Sequence, residues 1–473
     1  MVSLQFSRGE IEKKDLEPLY PEMRRPDPLY GDNHGYDEAP GEPPQGNRVE
    51  IYAEQITGKA GASGEVQGKI GCPEKGACDK KTIARGQRGV YPKAMDDREI
   101  NRYRREFPVV EKYNYLDHAG VAPVSLRVKR AVETYLRESS EEGAFQYPAW
   151  ALRIDAIRGR CAGLLGADNR EIAFVKSTSH GLSLVAGGLD WKQGDNLLFC
   201  GQDFPSNIYP WQAQGKRGVE ARPVPHQKGR VLIEDIERRM DARTRLVAVS
   251  SVLFSSGYRI DLKRLGDLCS GRGVLFCVDA IQSLGIIPMD VREYKIDFLS
   301  ADAHKWLLGP EGIGIFYCRK ELAQRLDPLL VGWKSVRNEF DFDHPSLQLK
   351  RDALRFEEGS QNLLGIFGLG AAVDLLLEAG IHNIKERVLS LGDRIIKLAE
   401  QRGFELLTPR EKGERGGGVS FRGKFDPAVM RDWLREKNIL INVRGGGLRV
   451  SPHFYNTEQD IAQLFDTIDQ LPG

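Results

Sequence analysis

From Met95 onward the chain alternates between short apolar runs and longer amphipathic ones. Segments 100–107, 125–139 and 149–165 carry apolar residues every three to four positions, which predicts helices. YLDHAGVAP (115–123) predicts a strand and a turn. EIAFV (171–175), NLLFC (196–200), EARPVP (220–225), LVAVS (246–250), VLFCV (274–278) and DFLSA (297–301) read as strands. Between them fall helical stretches from His180, after Pro205, at 233–240 and from Asp261. Continuous apolar strands separated by helices predict a mostly parallel sheet covered on both faces. GIGIFYC (312–318) adds a strand, with Gly312 and Gly314 marking a close backbone approach.

After Arg319 the pattern shifts. A loop-rich stretch around Trp333 (327–352) leads to RFEEGSQN (355–362), then to an apolar helix and an amphipathic one at 383–402. FELLT, GGGVSFR, ILINV and LRVSP predict short antiparallel strands, with helices at 427–436 and from Thr457. The expected division is a large domain over 95–330. A linker helix and a small C-terminal α/β domain over 331–473 follow.

Residues 1–94 are rich in Gly, Pro and charge and carry few apolar clusters, so disorder, or an extension ahead of a true start at Met95, is expected. Cys72 and Cys78 lack the further ligands a metal site requires, and no metal site is expected. The 68 Lys+Arg against 67 Asp+Glu give no case for nucleic acid or an anionic membrane as the main partner. The most apolar stretch, 363–377, is interrupted by Gly365, Gly368, Gly370 and Asp374, which predicts a buried helix rather than a membrane span. Seven cysteines in a chain this long form no disulfide framework, and a cytoplasmic enzyme is expected.

The chemistry concentrates in 274–310, where two predicted strands end in polar groups. The first ends at Asp279, with Gln282 close behind; the second ends at His304 and Lys305. A lysine among Trp306, Leu307 and Leu308 is either an ordinary exposed one or a desolvated amine able to form a Schiff base. A carboxylate at a neighbouring strand end suits a pyridinium nitrogen, and Gln282 suits a ring oxygen. Ser177, Thr178 and Ser179 open a predicted helix and offer hydroxyl and N–H groups to a phosphate, or simply an N-cap.

STSHG, VDAIQSLG, SADAHKWLLGPEGIG and RFEEGSQN, in this order, resemble the class V aminotransferase family of pyridoxal-phosphate enzymes. That family includes cysteine desulfurases, selenocysteine lyases, isopenicillin N epimerase-like proteins and, more distantly, kynureninases. The resemblance runs from about Tyr115 to the C-terminus. It implies the type I, aspartate-aminotransferase-like fold and pyridoxal 5′-phosphate as cofactor. Lys305 then resembles the Schiff-base lysine, Asp279 the ring-nitrogen partner and Gln282 the ring-oxygen ligand. Thr178, Ser179 and His304 resemble phosphate ligands. Ser360 resembles a residue that reaches the phosphate of the other subunit, which implies a homodimer with composite sites. Arg449 resembles the arginine that grips an amino-acid substrate's α-carboxylate.

Departures from the family pattern shape the expected function. Phe204, in QDFPSNIYPWQ, stands where many desulfurases carry a histidine and is expected to stack on the cofactor ring. No cysteine follows Cys318, so the thiol on which desulfurases build a persulfide is missing. Asp302 stands where a hydroxyl often helps the phosphate and is expected to point elsewhere. His118 lies in a segment on the substrate side, and His180 stands where Glu is frequent; each is a proton relay or a hydrogen-bonded structural histidine. The expected activity is carbanion chemistry at an amino acid's Cα, of an aminotransferase or epimerase-like kind. The alternatives are a cysteine or selenocysteine lyase without a persulfide cysteine, and a non-catalytic cofactor-binding scaffold.

Overall fold

The structure, a computed structural model, describes residues 95–470. The expectations for 1–94, Cys72 and Cys78 included, lie outside the described residues. In chain order the first strands are β1 (Asn114–Tyr115), β2 (Ile172–Val175), β3 (Asn196–Cys200), β4 (Glu220–Val224) and β5 (Thr244–Ser250). Then come β6 (Leu275–Asp279), β7 (Phe298–Asp302) and β8 (Gly314–Cys318). The last seven of these form one sheet in the order β2-β8-β7-β6-β5-β3-β4. The pairs β4–β3, β3–β5, β5–β6 and β6–β7 are parallel. β8 runs antiparallel to both β7 and β2. Only 303–313 join β7 to β8, with no helix between them, so the chain turns straight back. β5 reaches its parallel neighbour β6 through helix Leu262–Arg272 instead.

Every residue of β2, β3, β7 and β8 is buried, and their runs are mostly apolar, with Asn196 in β3 and Ser300 and Asp302 in β7 as the polar exceptions. β4 is the exception: Pro223 cannot donate to a ladder, and β4 lies at the sheet edge beside β3 alone. The helix expected after Pro205 is broken into short turns, Pro205–Asn207 and Tyr209–Gln212, because Pro205 and Pro210 remove the donors a longer helix needs. The glycines of helix Leu363–Ala379 are contact points rather than interruptions. A Cβ on Gly368 would lie 2.6 Å from Pro310, and one on Gly370 2.6 Å from Ile157. That helix is largely buried, and among the described residues no single helix is long and apolar enough to cross a membrane.

The C-terminal strands are β9 (Glu405–Leu406), β10 (Val419–Arg422), β11 (Ile439–Leu440), β12 (Asn442–Arg444) and β13 (Gly447–Val450). Four form an antiparallel sheet in the order β12-β13-β10-β9. ILINV splits into two strands, and β11 pairs in parallel with β1, Asn114 opposite Ile439. The N-terminal segment therefore joins the C-terminal layer, an attachment the order of the chain does not reveal. Leu391, Ile395, Phe421, Leu434, Leu448 and Phe465 form that layer's core.

The turn after β7 is tightly built. Leu308 takes a left-handed backbone at φ 59°, and its N–H donates to Lys305 O at 3.0 Å. Gly285, at φ 107°, lies against the same turn: a Cβ there would meet Trp306 O at 2.2 Å. Gly285→Ala is expected to destabilise the protein by about 2 kcal/mol or more, because neither the dihedral nor the backbone oxygen can yield cheaply. Chemical denaturation of the variant checks this.

Candidate active site

The ends of the parallel strands carry the polar groups. Asp279 ends β6 and pairs in register with Ser300 on β7, so the two strand ends lie side by side. Asp279 is buried, and its Oδ1 accepts from Ile281 N at 3.0 Å. Burial, with the neighbouring Asp203 carboxylate second, pushes its carboxyl up to about 7. Lys305 follows β7 and is 9% exposed. Burial holds its amine down at about 8, while Asp279 acts in the opposite direction. Of the two sequence readings of this lysine, the structure gives the desolvated amine.

Phe204 lies over the lysine, its ring centre 5.5 Å from Nζ, with Phe254 edge-on at 5.4 Å. The loop bearing Phe204 is fixed by Asp203, whose carboxylate accepts from Phe204 N (2.7 Å), Asn207 Nδ2 (3.0 Å), Ser250 Oγ (2.7 Å) and Ser250 N (3.1 Å). Ser250 ends β5 directly beside Asp279, so one buried carboxylate ties this loop to the strand ends. Sequence reasoning missed Asp203, although an acid preceding Phe204 with Asn207 four residues on was a usable signal.

Gln282 is held at both ends of its amide. Nε2 donates to Ala119 O at 3.1 Å, and Oε1 accepts from Trp306 Nε1 at 2.9 Å. One amide hydrogen is left over for a ligand. At the start of helix Thr178–Gly188, Ser177 Oγ caps His180 N at 3.2 Å. Thr178 is buried, and its Oγ1 accepts from Asp302 N at 2.9 Å. Ser179 is exposed and its hydroxyl bonds Ser206 Oγ at 2.7 Å. Gly181 lets this helix press on β7, since a Cβ there would lie 2.3 Å from Ser300 Oγ. Asp302 turns toward its own backbone and His304, accepting from Ala303 N at 2.9 Å with His304 Nδ1 at 3.1 Å.

His118, His180 and Ser360 fall elsewhere, whereas Arg449 lies near enough to Lys305 to help hold its amine down. His118 is fully buried, with Nδ1 at 2.9 Å from Ser451 O and Nε2 at 2.7 Å from Tyr455 OH. Desolvation pushes it down to about 4, so it is a neutral structural histidine with no nitrogen left for a substrate. His180 faces a separate cavity of about 180 Å³ with Lys176, Glu358 and Ser360, and Ser360 is not beside Lys305. Arg449 is buried, with Nη2 at 3.2 Å from Asp117 Oδ1 and Nη1 donating to Phe254 O at 3.1 Å. Its Nε has no partner. Asp117, a second residue the sequence reading passed over, lies inside the YLDHAGVAP stretch.

The residues present fit pyridoxal phosphate. A buried amine, a buried carboxylate on the adjacent strand, an aromatic face and a hydroxyl-rich helix start match the aldehyde, ring nitrogen, ring face and phosphate of that group.

Comparison with known proteins agrees with this chemistry. The class-V aminotransferase family model matches residues 114–464. A probable cysteine desulfurase of Methanothermobacter thermautotrophicus is 31% identical over 78% of this chain and 97% of its own length. An uncharacterized aminotransferase of Bacillus subtilis, YcbU, is 29% identical over 78% of this chain and 96% of its own. Among solved structures, the apo cysteine desulfurase of Thermococcus onnurineus NA1 shares the fold with a TM-score of 0.73 at 24% identity, covering 80% of this chain and 99% of that one. The chain belongs to the class V aminotransferase family, whose enzymes use pyridoxal 5′-phosphate and the type I fold.

The buried Asp279 has a pH signature in the cofactor-free protein. Its folded value lies above its ordinary 3.8, so folding disfavours its ionised form. Stability attributable to Asp279 is therefore lost as pH rises from about 4 to about 7, and is flat above that. Asp279→Asn is expected to remove this fall, read as denaturation midpoints across that range.

Proposed function

We propose that this chain acts on the Cα of an amino acid, with Lys305 as covalent anchor and base. The observation that carries the reading is the buried Lys305 amine beside the buried Asp279 carboxylate at adjacent strand ends. Asp279 would hold the ring nitrogen, Gln282 the ring oxygen, and Thr178, Ser179 and the helix start the phosphate. His304 would contribute from the Asp302 side, and Ser360 would serve the partner's site in a homodimer. When bound, pyridoxal phosphate supplies an electron sink for the pair left on Cα. Arg449 orients the substrate through its α-carboxylate by a bidentate pair. Lys305, with its amine held down by burial, is neutral often enough near pH 8 to take a proton from Cα. Phe204 covers one face and offers no proton, which leaves Lys305 as the base.

The first reading is an aminotransferase or epimerase-like activity. Cys161, Cys200, Cys269, Cys277 and Cys318 are all buried. Burial pushes the Cys200 and Cys269 thiols up to about 12, so neither is a ready thiolate. None of these cysteines suits a sulfur acceptor that must reach a substrate. The second reading is a cysteine or selenocysteine lyase that releases its product directly. It is favoured by the desulfurase name of the Methanothermobacter relative, which matches across 97% of its length.

Lys305→Ala is expected to abolish the Schiff-base absorbance band of purified protein; a retained band would sink the anchor assignment. Arg449→Lys is expected to raise KM about tenfold or more, because a lysine cannot form the bidentate pair. Offering cysteine and measuring sulfide and alanine, beside a scan of amino donors with pyruvate or 2-oxoglutarate, separates the two readings. Sulfide release without keto-acid turnover selects the lyase.

A further inference from the structure

The arginine proposed to take the substrate's carboxylate already holds one. Asp117 Oδ1 lies 3.2 Å from Arg449 Nη2, and the pair is nearly sealed, with side-chain exposures of 15% and 4%. Asp117 is also anchored from its other oxygen, which accepts from Asn442 Nδ2 at 2.8 Å. Asn442 and Arg449 are cross-strand partners on β12 and β13, so their side chains share a face. Arg444, two residues along β12, falls on the same face and donates from Nη1 to Asn442 Oδ1 at 3.0 Å. Among the described residues Arg444 forms no ion pair. Behind Asp117 there is no slack: a Cβ on Gly120 would meet its carboxylate at 2.4 Å. The Arg449–Asp117 contact uses one nitrogen, and the buried Nε beside it has no partner.

We infer that Asp117 is a resident counter-ion that a substrate's α-carboxylate must displace from Arg449, and that it selects amino acids bearing a single carboxylate. This rests on the reading of Arg449 as the carboxylate-binding residue. A single-point contact that leaves Nε unmet is weaker than the side-on, two-point pair a mobile carboxylate can form. Displacement is therefore favourable, but it is reduced by the energy of the resident pair. Charge then sets selectivity. Arg449 and Arg444 against Asp117 leave one positive charge, which one substrate carboxylate cancels. A second carboxylate would add an unmatched anion beside Asp117, whose anchoring to Asn442 keeps it close.

The test uses the holoenzyme, with propionate and succinate as probes read by perturbation of the cofactor's absorbance and by competition in KM. In the wild type, propionate is expected to bind more tightly than succinate. Asp117→Asn keeps an oxygen for Asn442 and removes the charge. It is expected to tighten propionate about tenfold and succinate by more, and to lower KM for a monocarboxylic amino acid. Asp117→Ser substitutes if the first variant does not fold. Propionate binding that is unchanged or weakened in Asp117→Asn overturns the counter-ion role, and an unchanged propionate-to-succinate ratio overturns the selectivity. An Arg449→Lys control separates the two levels. If it leaves propionate binding unaltered, the assignment of Arg449 fails; if it weakens binding while Asp117→Asn has no effect, only the present inference fails.

Discussion

Two ionisable groups taken out of water together set the demands on this site. Burial pushes Asp279 up and Lys305 down, and each partly offsets that effect on the other. The register of β6 against β7 brings them near each other, and the surrounding elements are fitted around that placement. Asp203 ties the Phe204 loop to Ser250 on the next strand. Thr178 locks the start of helix Thr178–Gly188 to Asp302 at the end of β7. Gln282 and Trp306 hold each other across the turn that carries the lysine.

Much of the fold was legible because its signals are local. Strands buried on both faces are apolar at nearly every position, as IAFV and GIFYC are. Ser177, Asp261, Asp426 and Thr457 all announce helices by capping them. Most of the residues proposed to hold the cofactor were singled out for the same reason: Asp279 ends a strand, Thr178 and Ser179 open a helix, and Gln282, His304 and Lys305 follow closely on strand ends. What stayed hidden was pairing at long range. Nothing near His118 in the chain says that Ser451 and Tyr455 will take both its ring nitrogens. Nothing near Asp117 names Arg449 as its partner. The antiparallel course of β8 was hidden too, since an apolar run does not encode its direction.

The proposed substrate side differs in kind from the proposed cofactor side. The proposed cofactor side is built from one continuous sheet and its immediate loops. The proposed substrate side is assembled from three separated pieces: 115–123, the 254–256 loop and β12–β13. Arg449 touches the first two through Asp117 and Phe254.

The pairing of β1 with β11 governs when the enzyme can come into being during synthesis. Asp117 and Arg449 are 332 residues apart in the chain. The large sheet can close as soon as β8 has been made, but the segment carrying Asp117 has no strand to join until Ile439 emerges. A nascent chain can therefore bring Asp279 and Lys305 together before Asp117 and Arg449 can meet. Loop closure over such a span is among the slower events available to a folding domain.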